Sequence, residues 1–121
     1  KQVIQEINSK GLKIIDVWDT QYYYTKAEDW AKVFEYIYFK FDMPQYLAER
    51  TDCDDFALLL KSLEATFFGL NYFSIVLGNT PMGYHAYNIF RTETGLLQLE
   101  PQSGDMSKLG ARGYSAQYIL L

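Results

Sequence analysis

At 121 residues, 49% apolar and 17% aromatic, the chain can bury a core as one domain over 1–121 and is too apolar to be disordered. A net charge of −4 with no basic stripe argues against nucleic-acid binding, and no apolar run is long enough to span a membrane. The single cysteine excludes an internal disulfide and leaves the compartment open; no signal peptide is visible, and the start at Lys1 rather than Met is expected of a domain trimmed from a longer chain.

Residues 1–9 read as a short helix with Val3, Ile4 and Ile7 on one side, broken by Gly11, and 12–17 as a short strand. The aromatic stretch 18–24 carries no clear period. Thr25-Lys26-Ala27-Glu28 has capping-box form. The helix after it spaces Ala27, Trp30, Ala31, Phe34, Ile37 and Phe41 on one stripe and ends before Pro44. A second start lies at 51–54. There Phe56, Leu59, Leu60, Leu63 and Phe67 mark one face, and Ala57, Leu58 and Phe68 widen it, so this helix should be buried on most sides until Gly69 stops it. Strand-like runs follow at 72–77, 84–91 and 96–101, joined by short turns that favour antiparallel hairpins, with a further strand at 114–121. The fold class expected is α+β: N-terminal helices, with a buried nucleophile-bearing helix packed on an antiparallel sheet.

Cys53 stands where the second long helix begins, so unpaired N–H groups and the helix dipole favour its thiolate by about 0.3–2 kcal/mol. Asp52, Asp54 and Asp55 oppose this; one carboxylate at ~5 Å and an effective dielectric of ~20 costs the thiolate about 3 kcal/mol. A protonated histidine, or a cation on the aspartates, would restore the balance. Calcium suits such an oxygen-only donor set better than zinc, with Asp54 and Asp55 as ligands and Asp52 beside them. The EF-hand glycine and closing glutamate are missing at their spacing.

His85 and Glu100 sit on successive strands. If Arg91 pairs with Leu96 across the turn, Tyr87 faces Glu100 and His85 faces Gln102. His85, Glu100 and Gln102 then project from one face, with Glu100 diagonal to His85 and near enough to accept its ring N–H. Thiol, imidazole and carboxylate in this order suit acyl transfer: Cys53 as nucleophile, His85 as base and acid, Glu100 as the orienting group.

Cys53 at a helix start, His85 on one strand and Glu100-Pro101 on the next resemble the papain-like and transglutaminase-like superfamily. More narrowly, Asp52-Cys53-Asp54-Asp55-Phe56-Ala57 together with Glu100-Pro101-Gln102 resembles the calcium-dependent cysteine-protease domain attached to fungal ricin-B-type lectins. The likeness covers roughly 45–105. It implies the same three catalytic residues, Asp54 and Asp55 as calcium ligands, Gln102 as a polar active-site residue, and Tyr46 at the family's aromatic position before the cysteine.

Three functions are therefore in view. The first is a thiol-dependent hydrolase, a cysteine protease or amidohydrolase, cutting a peptide or protein substrate through an acyl-enzyme. The second is transglutaminase-type acyl transfer on the same residues. The third is a non-enzymatic binding domain of a larger assembly in which Cys53 is inert.

Overall fold

The structure, a computed structural model, describes residues 2–121. In chain order the elements are α1 (Gln2–Ser9), β1 (Lys13–Asp16), α2 (Ala27–Lys40), α3 (Cys53–Phe68), β2 (Phe73–Thr80), β3 (Gly83–Thr92), β4 (Gly95–Glu100), β5 (Asp105–Lys108) and β6 (Ser115–Leu120). Among the described residues the strands form one six-stranded sheet ordered β1-β6-β2-β3-β4-β5.

Side-chain alternation along β3 divides the core in two. Tyr87 and Ile89 join Ile7 of α1, Leu12, Val76, Leu96 and Ile119 on one face. Phe90 joins Trp30, Phe34 and Ile37 of α2, Leu60 and Leu63 of α3, Phe73 and Leu99 on the other. Trp30 is the anchor of that second layer. It is fully buried, stacks on Phe34, packs at a tilt against Phe90, and donates its ring N–H to the Arg91 carbonyl at 2.7 Å. On the first face α1 is fastened by Glu6, which accepts hydrogen bonds from Arg91 and from the Tyr72 hydroxyl.

Helix ends follow the sequence in part. Gly69 adopts a left-handed φ of 66° and its N–H caps α3 on Ala65 and Glu64 carbonyls. At the start of α3, Asp52 and Asp55 close a reciprocal capping box, one residue later than expected. The Thr25 box does not form. Lys26 is the N-cap of α2, Thr25 donates to Asp29 instead, and the Ala27 N–H is satisfied by Glu93 from the β3–β4 turn.

The expected architecture needs correction. The molecule is dominated by its sheet, with a few helices, and is not a papain-like packing of N-terminal helices and a buried nucleophile helix on an antiparallel sheet. β1 precedes both long helices and runs parallel to β6, with Lys13 opposite Tyr118 and Ile14 opposite Ile119. Local turn chemistry reveals hairpins but not a partner at the far end of the chain. β5, four residues with little apolar alternation, was also unmarked. Nor is α3 buried on most sides: Leu58 is 49% and Phe67 61% exposed. Its extra apolar residues pair with α2 along an outer seam, Tyr36 with Phe68 and Phe41 with Phe67. Among the described residues no helix is long and apolar enough to cross a membrane.

Candidate functional site

β3 and β4 pair with Arg91 opposite Leu96, the register expected. That register brings His85 Nε2 to 2.6 Å from Oε1 of Glu100, with both residues nearly buried. Two further groups hold the carboxylate. The Tyr114 hydroxyl donates to the same Oε1 at 2.9 Å, and the Gln102 N–H donates to Oε2 at 3.1 Å. Burial pushes the Glu100 carboxyl up. The His85 ring, the Gln102 N–H and the Tyr114 hydroxyl outweigh it, so the carboxyl stays below its usual range. Burial, and then the Glu100 charge, hold the Tyr114 phenol well above its usual value. Tyr87 completes the cluster: its ring stacks on His85 at 6.5 Å and meets Tyr114 edge-on at 4.9 Å. Its buried hydroxyl has no hydrogen-bond partner, and burial raises its phenol to about 12.

Gly78, opposite His85 on β2, lets β6 approach this cluster. A Cβ there would fall 2.2 Å from the Ser115 carbonyl oxygen, at the bulge between Leu77 and Gly78. The close approach of β6 places Tyr114 over the site. Tyr114 also lines a cavity of about 520 Å³ with Leu12, Lys10 and Leu109.

The other expected site residues lie on other elements. His85 and Tyr87, two apart on a regular strand, share the α1 face. Asn88, of opposite parity, reaches the Ala57 carbonyl of α3 at 3.0 Å, so α3 covers the other face. Cys53, the first residue of α3, is half-buried and makes no hydrogen bond to His85 among the described residues. Tyr46 lies exposed in the loop before α3. Gln102 reaches Glu100 through its main chain, while the residue itself is exposed. Asp52, Asp54 and Asp55 do converge, each offering a carboxylate oxygen within 4.8 Å of the others. The Asp52 carboxyl is pushed up to about 6, first by its hydrogen bond with Asp54.

Tyr114 and Gly78 had no local sequence mark. Each acts through a strand partner distant in the chain, and a tyrosine among eleven attracts no notice. Glu64 was equally silent. It occupies an apolar position on α3, fully buried, with both carboxylate oxygens unpartnered, and burial raises it to about 8.

No family model matches the sequence, and no curated protein matches it either. Solved structures do share the fold. PSL1a in complex with E64 superposes with a TM-score of 0.74 at 22% identity, over 97% of this chain and 49% of that one. Polyporus squamosus lectin bound to the human-type influenza-binding epitope Neu5Acα2-6Galβ1-4GlcNAc gives 0.70 at 23% identity, over 91% of this chain and 42% of that one. The chain therefore spans about half the length of either structure.

These likenesses correct the expected kinship in fold. In fold the chain follows these structures, a lectin among them, rather than the expected papain-like and transglutaminase-like cysteine hydrolases. The expected cysteine protease or amidohydrolase, and its peptide or protein substrate, gain no support from these neighbours. Of the three functions, a non-enzymatic binding domain accords best with these neighbours.

Proposed function

We propose that residues 1–121 form one non-enzymatic binding domain whose ligand is a small, hydroxyl-rich molecule of the carbohydrate class. The observation that carries this is Tyr114, which holds Glu100 with its hydroxyl and also lines the 520 Å³ cavity. A rigid aromatic ring beside fixed polar groups in a concave site is a common plan for binding sugars and other small polar ligands. His85, Glu100 and the Gln102 main chain fix that ring, and a pair so nearly buried moves little when a ligand arrives. The lectin neighbours, one with a sialylated trisaccharide, support the same ligand class.

On this reading Cys53, at the start of α3, and Tyr46, in the loop before it, carry no chemistry. Asp52, Asp54 and Asp55 would hold a divalent cation there, calcium before zinc, because all the donors are oxygens and a cation relieves the repulsion that raises Asp52.

The test pairs binding with reactivity. Isothermal titration with Neu5Acα2-6Galβ1-4GlcNAc, and with a panel of neutral oligosaccharides, should show saturable binding that Tyr114→Ala abolishes. Alkylation of Cys53 by iodoacetamide at neutral pH should run at the slow rate of an ordinary free thiol. Rapid alkylation, an E64 adduct on Cys53, and Cys53-dependent cleavage of a peptide would together overturn the proposal.

A further inference from the structure

A second cavity, of about 460 Å³, lies beside the first, and Lys10 and Leu109 line both. It is floored by Leu96 and closed by Thr94 and Lys108. The two volumes form a groove from Tyr114, past the end of α1, to the β3–β4 turn. No carboxylate lines either part, although the chain as a whole carries a net charge of −4. The acids nearest in sequence are engaged elsewhere. Glu93 accepts from the Ala27 N–H on the far side of the sheet, Glu6 is paired with Arg91, and Asp105 is paired with Arg112 at 3.3 Å. Among the described residues neither Lys10 nor Lys108 has an ion-pair partner.

We infer that this groove is an anion-selective extension of the Tyr114 site, and that the ligand is an acidic oligosaccharide. One sugar ring lies at Tyr114, and a neighbouring residue sets its carboxylate between Lys10 and Lys108. The inference rests on the binding function proposed above and adds the charge of the ligand and its direction along the groove. Two exposed ammonium groups flanking an apolar floor give a site in which charge decides selectivity and the floor supplies contact area. Their attraction should be screened by salt within about a Debye length of 8–10 Å.

The experiment compares matched pairs that differ only in charge: cellobiuronic acid with cellobiose, and a wider panel of uronic-acid oligosaccharides with their neutral counterparts. Binding is followed by amide chemical-shift perturbation at low and high salt. Acidic members should bind at least about fivefold tighter at low salt, lose that margin at 0.5 M salt, and perturb Gly95 and Leu96 as well as Ser115. Lys10→Gln and Lys108→Gln, both exposed substitutions that leave the core intact, should each lower the affinity for acidic members several-fold more than that for neutral ones. Equal affinity within the pairs, or lysine variants without effect, would overturn the inference and leave the binding domain standing. Failure of every oligosaccharide to bind would overturn both.

Discussion

His85 and Glu100 meet at 2.6 Å on the face of the sheet that α3 does not cover. An imidazole and a carboxylate from adjacent strands form a nearly buried pair whose oxygens are also held by Tyr114 and Gln102. The pair is a fixed part of the sheet, set by register, and the cysteine that sequence order had linked to it belongs to a helix packed on the other face.

Glu100→Gln should therefore be felt first in stability. Loss of charge-assisted hydrogen bonds is worth about 1.5–3 kcal/mol at pH 7. A carboxyl held below its usual value stabilises the fold above the unfolded-state value near 4.5 and loses that contribution as pH falls through its folded value. Urea unfolding at pH 7 should separate wild type from variant, and the gap should close on acidification below about pH 4.5. Equal midpoints at pH 7 would mean the pair contributes nothing.

Glu64 has the opposite sign. With its carboxyl raised to about 8, the folded state keeps a proton that the unfolded state releases near 4.5, so stability declines as pH rises from about 4.5 to 8. Glu64→Leu should raise stability by about 2 kcal/mol at pH 8, by removing an unsatisfied buried group, and should flatten the slope. Denaturant melts at pH 5, 7 and 9 check this; a wild-type profile without decline between pH 5 and 8 would show that Glu64 finds a partner in solution.

Calcium should bind the Asp52, Asp54, Asp55 cluster with a Kd of about 10⁻⁴–10⁻³ M, the range of modest oxygen-donor sites. Because Asp52 titrates near 6, protons compete at low pH, and affinity should rise between pH 5 and pH 7. Calorimetry with wild type, Asp54→Asn and Asp55→Asn measures it. Absence of heat at 5 mM calcium would leave these residues as the helix cap alone.

Gly78→Ala should loosen the sheet beside His85. The new methyl meets the Ser115 carbonyl and the Ala116 Cα at contact distances no strand tolerates, so β2 and β6 must part at their bulge. An overpacking cost of about 1–3 kcal/mol corresponds to a fall in Tm of roughly 4–12 °C. A melt unchanged within 1 °C would place the strain elsewhere.

Much of this was open to reading residue by residue. Gly69 ended α3, the Arg91–Leu96 register aligned His85 with Glu100, and Trp30 and Phe34 marked the buried stripe of α2. What could not be read was which face each element would meet. Parity places His85 and Asn88 on opposite sides of β3, but only packing shows which side receives α3. Sequence order alone therefore links Cys53 to His85 and Glu100, while packing joins only the imidazole and the acid by a hydrogen bond. Tyr114 was hidden for a related reason, since the bulge that delivers it belongs to the pairing of β6 with β2. The apolar width of α3 read as depth when it is a seam with α2.

β6 lies between β1 and β2, although it is the last strand in the chain. Hydrogen bonds from Leu121 to Asp16 and from Trp18 to Leu121 join the opposite ends of the sequence. On a ribosome, then, β1 has no strand to pair with until residues 115–121 have emerged, and the hairpins β2–β4 must wait with one edge bare. The rate of folding should follow the late insertion of this keystone strand, a long loop closure whose entropy is met before its contacts reward it. Until that moment the nascent chain carries an open edge of the kind that chaperones cover.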